Sequence, residues 1–191
     1  MSAVTPAAYK ELVILAAPTC SGKTRFLEWL VDGRISGIQL TDPAAYFLES
    51  RWSFEPPSAE RVILHYALPI APLVNGEFRG IADDPRLSLT AERVIAITLM
   101  VRPEIHAARF RMRSRSSIRC LLHGLRKYLD TRRRLARMRR LCAESANVTG
   151  AYDAWFAWAD DVCSEHYLVT ANDDYEVMGR AHWPRLRQEY W

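Results

Sequence analysis

Leu12-Val13-Ile14-Leu15-Ala16-Ala17-Pro18-Thr19-Cys20-Ser21-Gly22-Lys23-Thr24-Arg25-Phe26-Leu27-Glu28-Trp29-Leu30-Val31 decides the fold of this chain. Its first six residues are a continuous apolar run, β-branched at Val13 and Ile14, which is how a strand buried on both faces reads. From Lys23 onward the apolar residues Phe26, Leu27, Leu30 and Val31 fall at helical spacing, and Gly33 stops them. The segment between is short, small and polar. Strand, tight loop and helix make the first unit.

Working outward, Ile35 to Leu40 reads as a second short strand. Thr41-Asp42-Pro43 follows, and Pro43 suits the first turn of a helix running toward Leu48. Arg61 to Leu68 is a third strand, ended by Pro69 and Pro72. Ala71 to Thr90 is punctuated by Asn75-Gly76, Gly80 and Asp83-Asp84-Pro85 and reads as loop. Arg93 to Val101 is a fourth strand. Pro103-Glu104 opens a long helical region to about residue 147, with an apolar stripe through Leu121, Leu125, Leu129, Leu135 and Met138 and arginines on the other face. Asn147 to Gly150 interrupts it. Ala151 to Val162 is an aromatic-rich helix, and its Trp155, Phe156 and Trp158 suit a core. His166 to Thr170 is a fifth strand, Tyr175 to Met178 a short helix, and the aromatic C-terminus irregular.

This alternation predicts a single α/β domain over residues 1–191: a three-layer parallel sheet of about five strands with helices on both faces. In such sheets ligands bind outside the carboxyl ends of the strands, so the segments after strands one to four are expected to face one crevice.

Of the 191 residues, 49% are apolar and 25% charged, the balance of a globular protein. No apolar run approaches the roughly 18–20 residues of a membrane span, and no secretory signal opens the chain, so a cytoplasmic protein is expected. Cys20, Cys120, Cys142 and Cys163 show neither CxxC pairing nor metal-ligand spacing. The net charge of +4 hides an asymmetry. Between Arg109 and Arg140 lie thirteen basic residues and one acid, Asp130, which leaves the remainder of the chain at −8. Such a segment belongs near something anionic.

The pattern Gly, four residues, Gly-Lys-Ser/Thr between a strand and a helix binds phosphates. Here Ala17-Pro18-Thr19-Cys20-Ser21-Gly22-Lys23-Thr24 stands in that context, with Ala17 in place of the first glycine. The chemistry needs each part. Backbone N–H groups of the loop and the helix N-terminus must face the phosphates, and Gly22 permits the close approach. Lys23 supplies a point charge to the β and γ phosphates of a nucleoside triphosphate, and the Thr24 hydroxyl ligates a bridging magnesium ion. The chain has only three lysines against twenty-three arginines, and one of them occupies this position.

On that loop the chain resembles the P-loop kinase group, the small phosphotransferases that include nucleotide, nucleoside, shikimate and adenylylsulfate kinases. The phrase Val94 to Glu104, an apolar run ending in Pro-Glu, leads into Arg109, Arg111, Arg113 and Arg115. The resemblance implies a helical lid in which arginines, Arg109 and Arg113 foremost, close over phosphates. It implies ATP and Mg2+ as cofactors, a small-molecule acceptor, and a carboxylate after strand two, here Asp42, which can equally cap a helix. One departure is marked: the family often carries an Asp on strand three, where this chain reads His65-Tyr66-Ala67-Leu68. His65 reads either as a core residue or as a base. The phrases Leu64-His65-Tyr66 and Asp84-Pro85 also resemble P-loop proteins associated with bacterial surface polysaccharides.

The leading expectation is an ATP-dependent phosphotransferase moving the γ-phosphoryl group to a hydroxyl of a small molecule. The loop is also similar to that of adenylate and tRNA prenyltransferases, an alternative that lacks its expected Asp-containing segment here. A third reading is a non-catalytic nucleotide-binding protein whose basic helix contacts a partner; without an RNA-binding signature, nucleic acid is not the expected partner.

Overall fold

A computed structural model describes residues 8–42, 45–49, 59–70, 81, 84, 87–116 and 125–191. Six strands form one sheet: β1 (Ala8–Ala17), β2 (Phe47–Glu49), β3 (Arg61–Ala67), β4 (Thr90–Met100), β5 (Glu165–Ala171) and β6 (Tyr175–Gly179). Their order is β2-β3-β1-β4-β5-β6, parallel throughout except for the antiparallel pair β5–β6. The helices among the described residues are α1 (Lys23–Val31), α2 (Pro103–Ser116), α3 (Leu125–Ala143), α4 (Ser145–Val162) and α5 (Trp183–Tyr190), with a 3-10 turn at Arg180–His182. None of them is long and apolar enough to cross a membrane.

The central strands follow from composition. β1 is buried without a break from Leu12 to Ala17, and β4 from Val94 to Met100, because both have neighbours on each side and helices on each face. On one face Leu12, Ile14, Leu64 and Ala96 meet Tyr152, Trp155 and Phe156 of α4 and Trp183, Leu186 and Tyr190 of α5. On the other, Val13, Leu15, Ile63 and Ile97 meet Phe26 and Leu30 of α1. The chain leaves β1 toward the β2 edge and crosses from β3 to β4 on the far side of β1. Adjacent β1 and β3 therefore send their connections in opposite directions, which opens a crevice at their carboxyl ends.

Five sequence expectations are corrected. Ile35 to Leu40 is not a strand: Gly37 takes a φ of 88°, which breaks an extended ladder, and Ile35, Ile38 and Leu40 pack half-buried against the α1-side core as a strap. The second strand is Phe47–Glu49, where a helix toward Leu48 was expected. Asn147 to Gly150 lies inside α4: the Asn147 amide donates to the Glu144 carboxylate at 2.8 Å, so the break falls at Glu144. Tyr175 to Met178 is the sixth strand rather than a helix, and the irregular C-terminus is α5, with Trp183, Leu186 and Tyr190 buried on one side. The expected helical region from Pro103 is realised as α2 and α3; most of the expected loop between Ala71 and Thr90 lies outside the described residues, as do Cys120 and Leu121.

One polar chain crosses the α4–sheet interface. The Trp155 indole N–H donates to Thr98 Oγ1 at 2.7 Å, and the Thr98 hydroxyl lies 2.8 Å from His166 Nε2. His166 Nδ1 in turn lies 3.2 Å from Asp160 Oδ1. Burial holds the His166 pKa down to about 4, so the ring is neutral and its Nε2 accepts from Thr98. Thr98→Val keeps the shape and orphans both partners. It is expected to cost about 2 kcal/mol, lowering the melting temperature by about 4–8 °C. A calorimetric melt unchanged within error would show that the chain contributes nothing.

Candidate functional site

The segment from Ala17 to Thr24 turns from strand to helix through two left-handed residues, Cys20 (φ 70°) and Gly22 (φ 97°). At Gly22 this is free of strain, whereas at Cys20 it costs about 1–2 kcal/mol. A Cβ at Gly22 would also lie 3.3 Å from both Arg109 Nη1 and the Tyr175 hydroxyl. The loop is held tightly, with its carbonyls engaged one by one. Ala17 O accepts from Lys23 Nζ at 2.6 Å and from the Leu68 amide at 3.0 Å. Pro18 O accepts from Lys23 Nζ at 3.0 Å and from the Ser21 hydroxyl. Thr19 O accepts from His106 Nε2 at 2.7 Å, Ser21 O from Arg109 Nη1 at 2.8 Å, and Gly22 O from the Tyr175 hydroxyl at 3.1 Å.

The amides tell the opposite story. From Cys20 to Arg25 no backbone N–H has an acceptor among the described residues. Carbonyls satisfied outside and amides left open, at the N-terminus of a nine-residue helix, form a concavity for an anion.

This loop borders a cleft of about 550 Å³, to which it contributes residues 19–25. β3 adds His65 and Ala67, and α2 adds Arg109, Met112 and Arg113. The cleft lies at the carboxyl ends of β1 and β3, where Ala17 pairs in register with Ala67. Among the described residues, no carboxylate lines it and no group of acids, histidines or cysteines could hold a metal.

Lys23 is 6% exposed. Burial chiefly, with repulsion from Arg113 added, pushes its pKa down to about 7, while Cys20 acts the other way. A polyanion in the cleft would restore the charged form. Binding is therefore expected to take up a proton above pH 7 and to leave protonation unchanged well below it. Affinity should fall about fivefold from pH 7 to pH 8. Titration calorimetry of the protein with a non-hydrolysable ATP analogue, in two buffers of different ionisation enthalpy, measures that uptake. Identical heats in both buffers at pH 8 would contradict it.

The expected site residues divide. Ala17 to Thr24 are brought together as a loop, and the exposed Thr24 lines the cleft. Arg113 lines it as an exposed side chain of α2. Arg109 is there too, but as a brace: it donates from Nη1 to Ser21 O and from Nη2 to Asn172 O at 2.6 Å, tying the loop to the turn after β5.

Asp42 is a correction. Its neighbour Thr41 donates to Glu11 Oε2 at 2.9 Å. Glu11 precedes Ala17 by six residues, about 20 Å along the strand, so Asp42 stands near the amino end of the sheet and away from the cleft. The reason is the missing strand at Ile35–Leu40: the strap descends past Arg93, which donates to Gln39 O at 3.0 Å, before β2 begins. His106, Asn172, Tyr175 and Arg25 are the site residues that sequence reading missed. Only Arg25, next to Thr24, carried a local signal; it sits with its guanidinium 4.7 Å from the Trp29 ring.

No family model matches this chain, and no curated protein and no solved structure matches it either.

Proposed function

We propose that the chain is an ATP-dependent phosphotransferase of the P-loop kinase type, moving the γ-phosphoryl group to a hydroxyl of a small acceptor. The observation that carries this reading is the loop after β1: five of its carbonyls are engaged by side chains, and its amides from Cys20 to Arg25 are open. Such a loop receives the β and γ phosphates, with Lys23 leaving its carbonyl partners to meet them. Arg113 and Arg25 add charge at the cleft. The donor set fits magnesium bound with the nucleotide: the Thr24 hydroxyl would hold the ion, which would supply positive charge beside the phosphates.

α2 would then act as the inner face of a lid, its Arg109 shaping the loop and its Arg113 reaching the ligand. One observation favours a second reading: no carboxylate lines the cleft among the described residues, as suits a protein that binds nucleotide without turning it over.

Titration calorimetry with ATP, its non-hydrolysable analogue and dimethylallyl diphosphate, with and without Mg2+, tests the proposal. Magnesium-dependent binding of both nucleotides, followed by phosphoryl transfer in an acceptor screen, is the expected result. Nucleotide binding with no transfer to any acceptor would leave the second reading. Binding of the prenyl diphosphate alone would replace both with a prenyltransferase.

A further inference from the structure

We infer that His65 receives the attacking oxygen in this cleft, accepting a hydrogen bond from it at Nε2 and holding it in line with the γ-phosphoryl group. The inference rests on the phosphotransferase reading above and supplies what that reading lacks, a group on the acceptor side.

β3 runs beside β1 with His65 opposite Leu15 and Ala67 opposite Ala17, so His65 stands two residues before the level of the phosphate loop. It alternates with Ile63 on the α1 side of the sheet, the side that also carries Phe26 and Leu30. His65 lines the same cleft as Lys23, Thr24, Arg109 and Arg113. Its Nε2 is buried and has no hydrogen-bond partner among the described residues. Leaving such a nitrogen unpaired costs about 1–3 kcal/mol, which a ligand hydroxyl would recover.

The charged groups at the cleft do not serve as acceptors. Arg25, Arg109 and Arg113 only donate, and so does Lys23 once a polyanion in the cleft keeps it charged. Ser21 is buried beneath the loop with its hydroxyl turned to Pro18 O, and Thr24 is the residue that would hold the metal in the reading above. Asp42 is at the other end of the sheet. Burial, reinforced by Lys23, holds the His65 pKa down to about 4, so the ring is neutral near pH 7. A neutral acceptor adds no negative charge beside a γ-phosphoryl group that already carries it.

In the transfer, a bond forms between the acceptor oxygen and the γ phosphorus. The bond from that phosphorus to the β–γ bridging oxygen breaks, its electron pair leaving on ADP. The acceptor's proton crosses the hydrogen bond to Nε2, and the imidazolium, whose pKa is held down to about 4, gives it up to a phosphoryl oxygen of the product. Because the transition state of phosphoryl transfer is loose, orientation of the oxygen contributes more than proton abstraction.

Water serves as a surrogate acceptor for the test. Wild type, His65→Ala, His65→Phe, His65→Gln and Lys23→Ala are compared for affinity toward the ATP analogue and for slow release of phosphate from Mg·ATP. His65→Phe keeps a buried ring without a lone pair, should the alanine variant fail to fold. The expected result is analogue affinity within about twofold of wild type in the Ala and Phe variants, with kcat for hydrolysis at least about tenfold lower and KM for ATP unchanged. His65→Gln, whose amide oxygen can accept, is expected to recover part of the rate.

Hydrolysis at the wild-type rate in His65→Phe or His65→Ala would overturn the inference and leave the phosphate site intact. So would a wild-type rate no greater than that of Lys23→Ala, or loss of nucleotide affinity together with rate. Failure of wild type to bind the analogue would instead remove the phosphotransferase reading itself.

Discussion

Lys23→Met is expected to yield a protein that melts no lower than wild type and binds an ATP analogue at least about 100-fold more weakly, a loss of about 2.7 kcal/mol. The two halves of this result have one cause. Lys23 is buried, and its ammonium donates to Ala17 O and Pro18 O. Its depressed pKa records what desolvating a cation costs here. Both carbonyls have a second donor, the Leu68 amide for Ala17 and the Ser21 hydroxyl for Pro18, so removing the ammonium orphans neither. Methionine fills the volume of the stem.

The unliganded fold thus gives up a costly charge and few hydrogen bonds, whereas the ligand gives up its most deeply placed cation. At an effective dielectric constant of about 20, a unit charge 4 Å from another is worth about 4 kcal/mol, enough to carry the loss. The pH dependence should vanish with it, because no proton remains to be taken up. A melt lowered by more than about 2 kcal/mol, or an affinity within threefold of wild type, would show that Lys23 is there for the loop's own stability.

The same contrast between local and distant partners explains what the sequence disclosed. β1, the loop and α1 were legible because each signal is local: an apolar run, a glycine in the left-handed region, and Phe26 and Leu30 at helical spacing. β4 and the start of α2 were legible for the same reason. The strap at Ile35–Leu40 was not, since its apolar residues satisfy a strand pattern. What decides against a strand is Gly37 with its positive φ and the anchoring of Gln39 by Tyr167 and Arg93.

Asp42 then followed the strap to the wrong end of the sheet. β6 was hidden by being a short edge strand, half-buried on both faces, after the turn at Asn172-Asp173-Asp174. Its Tyr175 reaches Gly22 across 153 positions of sequence, and His106 reaches Thr19 across 87. No local pattern announces contacts of that kind. The phosphate pattern was therefore readable while the bracing that shapes it was not.

That bracing makes Arg109 and Arg113, which the family resemblance pairs as lid residues, separable by experiment. Arg109 is half-buried and spans two carbonyls with two charge-assisted hydrogen bonds, one to the loop after β1 and one to the turn that leads into β6. Bonds of this type contribute about 1.5–3 kcal/mol each when buried, and water replaces part of that at a half-buried site. Arg109→Ala is accordingly expected to destabilise the fold by about 2 kcal/mol and to weaken binding of the ATP analogue by at least about 30-fold. The loop would lose the contact that holds Ser21 O outward and so keeps the amides open.

Arg113 is exposed at the mouth of the cleft. Arg113→Ala gives up a hydrogen bond to Cys20 and should lower the melt by less than about 1 kcal/mol while weakening binding by about five- to tenfold, chiefly through lost charge. Added salt should narrow that second difference and leave the first in place, because a surface charge is screened and a braced loop is not. Arg109→Lys should fall between, since one ammonium cannot span both carbonyls. Matching melts for the Arg109 and Arg113 alanine variants, with affinity lost in both, would return Arg109 to the role of a direct phosphate clamp. A lowered melt in Arg109→Ala alone, with its affinity loss insensitive to salt, makes it the strut on which the anion site is built.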